Sequence, residues 1–316
     1  MAQSTYPILS ITPEQIVGDE QLGTKPKFWF EHEGSLWLFK EVRAIDAPAG
    51  AEIAGEDWSE KIAAEIAHTL GIPAAKVELA EYEGRRGAAS KSFTTPSQQL
   101  MHGNEILTGH VPNYDPGYDK SKWYRQSDHT LGNIILAIQT MFPQKSDSRV
   151  VLTQLASYLV LDALIGNVDR HHENWGLLWQ VIVHHDDFRE TSRLEKEYTV
   201  APSYDHASSL GRELMDKKRG DKLRSKAVES YVRKGNGGIY IAGGKKGENP
   251  LCLVESEAEA YPDCFKPSLD RLRATPLDAL TSAVDRVPAA RMSASAREFS
   301  KAMLSVAFNA LTRIGK

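Results

Sequence analysis

Residues 166–176 read Gly166-Asn167-Val168-Asp169-Arg170-His171-His172-Glu173-Asn174-Trp175-Gly176, a polar stretch in the middle of the 316-residue chain. An apolar pattern with helical spacing precedes it over residues 151–165, and Gly166 is expected to end that helix. Residues 177–183 are mostly apolar and predict a strand directly after it. We therefore expect a loop that joins a buried helix to a strand.

Asp169 and Asn174 place an acid and an amide five residues apart in this loop. Protein kinases place a catalytic Asp and a metal-binding Asn at that separation. The Asp must reach the acceptor hydroxyl, while the amide oxygen must reach a cation that bridges the phosphates. Asn, Asp and His are also common in ordinary loops after helices, so the spacing alone leaves a structural loop equally open.

Asp205 adds a second carboxylate after the predicted returning strand, residues 198–204. The polar residues 184–197 before that strand are expected to form an exposed turn. A kinase needs a further Asp at the strand end after its catalytic hairpin, where it holds Mg²⁺. Taken alone, Asp205 is equally well explained as a turn residue.

Lys40 lies in a predicted hairpin over residues 28–42 and shares its strand face with Leu36, Leu38 and Val42. A Lys on an apolar face is unfavourable unless it meets an anion, which nucleotide phosphates or a helix carboxylate would supply. The opposite face carries Trp37 and Phe39, so the pattern leaves open which face is buried. A Lys that reaches solvent from a sheet edge is the alternative.

The remaining predicted elements are strands and helices in the first part of the chain and mainly helices after it. The patterns predict a helix that Asp57 caps and Gly71 ends, strands over 77–82 and 88–93, an irregular stretch over 103–127, and helices over 131–142, 213–233 and 276–314. We therefore expect a small sheet with one helix in the first ~95 residues and a mainly helical remainder.

Composition indicates an ordinary soluble protein of one large or two modest domains, with 41% apolar and 25% charged residues. The net charge of -4 makes direct binding of nucleic acid unexpected. Two cysteines are too few for a disulfide framework or a Cys-based zinc site. Neither a signal peptide nor a run of ~18 apolar residues is visible, so a cytoplasmic location without a membrane span is expected.

One local stretch is basic despite the acidic total. Its cations are Lys217, Lys218, Arg219, Lys222, Arg224, Lys226, Arg233 and Lys234. A solvated helix face explains them most simply. A patch for an acidic or nucleic-acid-bound substrate is the alternative.

Three motifs resemble those of the HipA-like serine/threonine kinases, a bacterial branch of the protein-kinase-like fold. The segment 167–174 is similar to the family's N-x-D-R-H-x-x-N catalytic loop, and Ala201-Pro202-Ser203-Tyr204-Asp205 is similar to its metal-binding A-P-x-[FY]-D. Gly23-Thr24-Lys25-Pro26-Lys27 is similar to its G-x-x-P-K phosphate loop. The resemblance implies an α+β, two-lobed fold, with an N-lobe over 1–93 and a mainly helical C-lobe over 94–316.

The resemblance also implies roles for the loop residues. Asp169 would be the catalytic base or would orient the hydroxyl, and Asn174 and Asp205 would bind Mg²⁺. Asn167 and His171 would belong to the catalytic loop, with His171 as a structural member that is hydrogen-bonded to backbone.

The nucleotide contacts follow from the same resemblance. Lys40 would contact the α- and β-phosphates of ATP, and the loop residues Gly23, Thr24, Lys25 and Lys27 would cover the phosphates. Lys91, Ser92 and Phe93 would form the hinge that offers backbone groups to adenine. Glu60 would pair with Lys40; Glu65 is a rival for that pairing, and a capping box with Asp57 is an alternative explanation of Glu60.

The expected activity is therefore ATP- and Mg²⁺-dependent transfer of the γ-phosphoryl group to a Ser or Thr hydroxyl of a protein. Some HipA-like kinases form toxin–antitoxin pairs with a helix-turn-helix partner and modify aminoacyl-tRNA synthetases, while others do neither. A small-molecule kinase on the same fold and an inactive binding module are alternatives. A metal-dependent phosphohydrolase is another, with its ligands drawn from His171, His172, His184, His185, Asp186 and Asp205.

Thr24 is the only hydroxyl residue in the predicted phosphate loop. Several relatives carry serines at or before this loop, and their phosphorylation pulls the loop away from the nucleotide. Here the preceding residues, Glu20, Gln21 and Leu22, have no hydroxyl. Self-inactivation is therefore expected to be absent or to act through Thr24.

Overall fold

A curled six-stranded sheet forms the amino-terminal part of the computed structural model, which describes residues 4–20, 27–45, 52–117, 127–186 and 191–315. In chain order its strands are β1 (Ile8–Ile11), β2 (Ile16–Asp19), β3 (Lys27–His32), β4 (Ser35–Glu41), β7 (Val77–Tyr82) and β8 (Arg85–Lys91). Their order across the sheet is β1-β7-β8-β4-β3-β2. Only the β1–β7 pair is parallel. The short strands β5 (Ala44–Ile45) and β6 (Glu52–Ile53) pair with each other.

Two tight turns connect the hairpins of this sheet. Glu33 and Gly34 join β3 to β4, and both have positive φ, which glycine adopts without strain. The hairpin predicted over residues 28–42 is confirmed. The second turn consists of Glu83 and Gly84, so residues 85–87, which the sequence pattern placed in the turn, belong to β8.

The two faces of β4 have different surroundings. Trp37 and Phe39 are buried in an apolar cluster with Phe30. Lys40 points to the opposite face, where its pairing partner in β8 is Ala88. Ala88 packs against Ala64 of the first helix. Lys40 therefore lies on the helix-covered face of the sheet, which resolves the ambiguity of the sequence pattern.

Helix α1 (Glu56–Thr69) packs on β7 and β8. Its N-cap is Gly55, so the predicted cap at Asp57 and the capping box with Glu60 are wrong. Asp57 is fully buried and pairs with Arg86 and Arg291 instead. The two guanidinium groups neutralise the buried carboxylate, which is thus held by ion pairs and not by the helix end.

A second sheet has three strands in the order β11-β10-β9: β9 (Gln99–His102), β10 (Gly176–Asp186) and β11 (Thr191–Val200). Strands β10 and β11 pair from Leu177 with Val200 out to Asp186 with Thr191. Residues 184–186 and 191–197 are therefore paired strand and not part of an exposed turn as predicted; residues 187–190 lie outside the described residues. The returning strand ends at Val200, so Asp205 lies in the irregular segment beyond it. Both strands carry exposed polar side chains, and for this reason their sequence did not predict the pairing.

Nine further α-helices account for about half of the remaining described residues. They are α2 (Gly103–His110), α3 (Leu131–Met141), α4 (Lys145–Ile165), α5 (Asp216–Arg224), α6 (Val228–Val232), α7 (Pro250–Ala260), α8 (Pro262–Ala274), α9 (Leu277–Asp285) and α10 (Ala294–Leu311). Helix α2 lies where an irregular stretch was predicted, α4 begins at Lys145 and not Val151, and α7 and α8 were not predicted.

Helix α4 lies at the centre of the large apolar core, which also includes one face of α1 and extends through α8 and α10. Among the helices of the described ranges, α4 is the one whose length and composition would allow it to cross a membrane, but most of it is buried within the protein. The continuous core fixes the end of α4, and therefore the loop that follows it, relative to the sheet. The lobe boundary at residue 93 stays a prediction.

Candidate active site

The loop that follows α4 begins with a sharp reversal. Gly166 adopts a left-handed conformation, with φ of 66°. Asn167 is fully buried; its amide nitrogen donates to Oδ1 of Asp162 at 2.8 Å, and its Oδ1 accepts the backbone N–H of Asp169 at 3.2 Å. Both ends of the Asn167 side chain thus hold the loop in position, so we interpret it as a positioning residue.

A buried ion pair stabilises the inside of the loop. Arg170 donates from Nε and Nη2 to the two oxygens of Asp162, both at 2.7 Å. Its Nη2 also donates to Oγ of Ser203, and its Nη1 donates to the carbonyl of Tyr204. Arg170 therefore ties the loop to the segment that carries Asp205. Neither Arg170 nor Asp162 was among the expected site residues, although a charged residue late in an apolar helix indicates a buried pair.

Asn174 is fixed to the start of the same loop. Its amide nitrogen donates to the backbone carbonyl of Asp169 at 2.6 Å. The amide oxygen, Oδ1, has no hydrogen-bond partner among the residues that the structure describes. The loop therefore presents the Asp169 carboxylate and the Asn174 oxygen together.

Lys40 reaches across from the sheet to the segment after β11. Its Nζ lies 3.2 Å from Oδ2 of Asp205. Asp205 has a φ of 58°, a left-handed conformation that Asp tolerates better than most residues. Burial lowers the pKa of Lys40, but the carboxylates of Asp205, Glu60 and Asp169 outweigh that effect and raise it overall. Lys40 is therefore charged at neutral pH.

Glu60 supports the Asp205 segment and is not an ion-pair partner of Lys40. Its Oε1 accepts the backbone N–H of His206 at 2.9 Å. Nε2 of His206 in turn lies 2.7 Å from Oγ of Ser203. The predicted Lys40–Glu60 pairing is therefore wrong in the described structure, and Lys40 feels Glu60 only at longer range. The rival, Glu65, pairs with Lys61 and Arg286.

Asp169 lies at the surface of the loop, where the next segment contacts it. The Ser208 hydroxyl donates to its Oδ2 at 3.3 Å, and Nη2 of Arg212 donates to Oγ of Ser208 at 3.2 Å. The densely packed surroundings raise the pKa of Asp169; Asp205 also raises it, while His171, Ser208 and Arg212 oppose the change. Neither Ser208 nor Arg212 was among the expected site residues.

The histidines of the loop are held by hydrogen bonds. His171 accepts the backbone N–H of Glu173 through Nδ1 at 3.2 Å, as the sequence analysis expected. Burial lowers the pKa of His172 to about 4, and its Nδ1 lies 2.7 Å from the Tyr114 hydroxyl. His184 lies on β10, beside Glu195. The described residues contain no group of three His, Cys, Asp or Glu side chains that could hold a metal.

The expected nucleotide contacts lie partly outside the described residues. Gly23, Thr24 and Lys25 are outside them, whereas Lys27 is the first residue of β3 and pairs with Lys40 across the hairpin.

The predicted hinge lies at the end of β8. The backbone N–H of Lys91 donates to the carbonyl of Lys76, and that of Ser92 donates to the carbonyl of Leu36, both at 2.8 Å. These two amides are thus used by the protein itself. Phe93 stacks on Tyr204, with ring centroids 5.5 Å apart, so it joins the hinge to the segment before Asp205.

The basic stretch is neutralised only in part by the described residues. Arg219 pairs with Asp216, Arg224 with Asp221, and Arg233 with Glu255. Three of its eight cations are therefore paired with neighbouring carboxylates, and the solvated-face interpretation stays a prediction.

The oxygen donors of Asn174 and Asp205 fit Mg²⁺. This ion prefers carboxylate and carbonyl oxygens, usually one or two from the protein, with water and phosphate completing the shell. The Asn174 nitrogen is occupied by Asp169, so its oxygen is oriented by the protein. The Lys40 ammonium beside Asp205 adds a fixed cation for phosphate oxygens.

Comparison with known proteins shows the family and the fold of the chain. The family model of the HipA-like C-terminal domain matches residues 21–235. The serine/threonine-protein kinase CtkA of Helicobacter pylori strain J99 is 28% identical over 153 residues, which span 48% of this chain and 40% of CtkA. The match thus covers less than half of that relative's length.

Two solved structures share the fold. The crystal structure of the proinflammatory kinase CtkA of Helicobacter pylori superimposes with a TM-score of 0.69 and 21% identity, over 97% of each chain. A complex of HipA with HipB and operator DNA from Shewanella oneidensis MR-1 gives 0.55 and 12% identity, over 98% of this chain and 67% of that one. The predicted α+β kinase-like fold is therefore confirmed, and the chain belongs to the HipA-like C-terminal domain family.

Proposed function

We propose that this protein is an ATP- and Mg²⁺-dependent kinase that transfers the γ-phosphoryl group to a Ser or Thr hydroxyl of a protein. The observation that carries the proposal is the convergence of four residues from three segments. Lys40 of β4 pairs with Asp205 at 3.2 Å, and the Asn174 amide donates to the backbone carbonyl of Asp169 at 2.6 Å in the loop after α4. The Asp169 carboxylate is close enough to affect the pKa of Lys40, and Asp205 affects that of Asp169. The similarity to CtkA, a serine/threonine kinase by name, supports it.

The residues divide the work of phosphoryl transfer, which depends mainly on positioning and charge neutralisation. Lys40 is charged and would hold phosphate oxygens of ATP. Bound Mg²⁺ would neutralise charge on the phosphates, with Asn174 and Asp205 as its protein ligands. Asp169 would orient the acceptor hydroxyl and accept its proton, and its raised pKa makes it a stronger base than an ordinary Asp.

The proposal extends to the partner and the substrate of the protein. The HipA complex that shares the fold contains HipB and operator DNA. On that basis we propose an antitoxin as a partner. From the motif resemblance alone we propose that this partner is a helix-turn-helix protein and that an aminoacyl-tRNA synthetase is the substrate to test first. A cytoplasmic location, where ATP is available, accompanies this proposal.

Labelled ATP tests the activity. The purified protein is incubated with [γ-³²P]ATP, Mg²⁺ and cell lysate, and Asp169→Asn is the matched control. Labelled protein bands with the wild type alone are the expected result, and mass spectrometry then identifies the phosphorylated residue. Label confined to small metabolites would instead show a small-molecule kinase. Tightly bound Zn, Mn or Fe and phosphate release without transfer would show a phosphohydrolase.

A further inference from the structure

A cavity of about 240 Å³ lies behind the catalytic loop, on the side of the helices. All of its lining residues come from position 163 onward, so neither the six-stranded sheet nor α1 contributes to it. The cavity is thus separate from the place where Lys40 pairs with Asp205. Its floor is apolar and buried, formed by Ala163, Val232, Leu251 and Met303.

Two residues of the cavity wall adjoin Asp169. Val168 precedes it in the chain, and the Ser208 hydroxyl donates a hydrogen bond to Oδ2 of its carboxylate at 3.3 Å. A group in the cavity therefore contacts residues that adjoin Asp169, the residue that we assign as the base. The exposed residues Lys234 and Asn236 also line the cavity and leave it open to solvent.

The outer wall of the cavity lies close to the catalytic loop. A Cβ atom on Gly235 would lie 2.8 Å from Cγ1 of Val168. Asn249 fixes this wall because its Nδ2 donates to the carbonyls of Val232 and Gly235. Gly235 thus allows an approach that a side chain would prevent.

Ser209 supplies an independent sign of a ligand. It lines the cavity, is 1% exposed, and its hydroxyl has no hydrogen-bond partner among the described residues. A buried hydroxyl without a partner is unfavourable, and most such groups in proteins are satisfied. A polar group of a bound molecule would satisfy it.

We propose that this cavity binds an apolar side chain adjacent to the acceptor Ser or Thr of an extended peptide segment, with Ser209 bonded to the peptide backbone. The proposal rests on the proposed kinase function and deepens it. The volume is below the ~300–1,000 Å³ typical of small-molecule pockets, so one side chain fits better than a whole metabolite. The apolar floor selects an aliphatic or aromatic residue, because a charged one would lose its hydration there.

A peptide library tests this pocket. Peptides with a central Ser and randomised flanking positions are phosphorylated with Mg²⁺-ATP, and the products are sequenced. Val232→Phe fills the cavity, and Val228→Phe is the matched control. Both valines lie on α6 and are 7% exposed, but Val228 does not line the cavity. Ser209→Ala, which removes only the hydroxyl, is a second variant that does not depend on how well Val232→Phe folds.

We expect the wild type to prefer an apolar residue at one position next to the acceptor. Val232→Phe should lower kcat/KM for such peptides by at least ~10-fold relative to Val228→Phe, the scale of one apolar group in a pocket. Ser209→Ala should lower it as well, and none of the variants should change Mg²⁺-ATP affinity in calorimetry.

Three results would overturn the pocket while leaving the kinase intact. They are phosphorylation without an apolar preference, a preference that both Val232→Phe and Ser209→Ala retain, and tight Mg²⁺-ATP binding and lysate labelling with no phosphorylated peptide. Absence of both Mg²⁺-ATP binding and lysate labelling would instead overturn the proposed function on which the pocket rests.

Discussion

The side-chain amide of Asn174 donates a 2.6 Å hydrogen bond to the backbone carbonyl of Asp169. This bond closes the loop between the two residues and gives their five-residue spacing a physical reason. Because the nitrogen of Asn174 is used inside the loop, its oxygen is the atom presented outward. One amide therefore fixes the position of the acid and offers an oxygen ligand at the same time.

Replacing Asp169 with Asn should reduce phosphoryl transfer by at least ~10²-fold, since the variant keeps the shape but loses the base. The melting temperature of the variant should not fall below that of the wild type. The raised pKa means that the folded state holds this proton more tightly than the unfolded chain does. The ionised carboxylate therefore costs stability once the pH rises above the ordinary Asp range, and Asn removes that cost. Thermal melting at pH 7 and pH 4 checks this; transfer near the wild-type rate would remove Asp169 from the mechanism.

Asp205→Ala should abolish the Mg²⁺-dependent tightening of ATP binding. Without Mg²⁺, ATP should bind the variant at least as well as the wild type, because Lys40 loses the carboxylate that neutralises it. Calorimetry with and without Mg²⁺ measures both effects. Glu173→Ala, an exposed acid in the neighbouring loop, is the control and should keep the Mg²⁺ effect. The same Mg²⁺ effect in Asp205→Ala would contradict the assignment.

Ser208→Ala should shift the acid limb of the pH–rate profile to higher pH. The Ser208 hydroxyl bonds to the ionised form of Asp169 and lowers its pKa, so its loss raises that pKa further above the ordinary value. A base with a higher pKa becomes protonated earlier as the pH falls. Ser208→Thr keeps the hydroxyl and should restore the wild-type profile. Identical acid limbs in all three proteins would show that Ser208 does not act through Asp169.

Arg170→Met should destabilise the protein strongly, by about 3–5 kcal/mol, because it leaves the buried Asp162 carboxylate without its cation. Adding Asp162→Asn should recover part of that loss: Asn carries no charge and still offers an oxygen to Asn167. Urea unfolding of the two variants measures the difference. A double variant that is no more stable than Arg170→Met would show that charge burial is not the cause.

Thr24→Ala tests regulation at the predicted phosphate loop. A phosphate on Thr24 would add nearly two negative charges beside the triphosphate and weaken ATP binding. If self-inactivation occurs, activity should decay during long incubation with Mg²⁺-ATP while phosphate accumulates on Thr24, and the variant should keep its activity. Equal decay in both proteins, with phosphate only on a distant residue, would rule out this route.

The sequence by itself was enough for the local parts of the site. Spacing within one loop placed Asp169 and Asn174 together, and alternation along the hairpin placed Lys40 opposite Trp37 and Phe39. Such features depend on neighbours a few residues away, which a pattern records directly. The motif resemblance likewise gave the family and the kinase-like fold, which the comparisons confirm.

Only the tertiary structure decided the contacts between distant segments. Glu60 lies on α1, the helix from which a partner of Lys40 was expected, but its carboxylate accepts the backbone N–H of His206. Asp57 pairs with Arg291 instead of capping α1. Arg212 reaches Ser208, and Ser209 lines a cavity with its hydroxyl unpaired among the described residues. A buried charge or hydroxyl takes its partner from whichever element packs against it, and the spacing of residues along the chain does not contain that information.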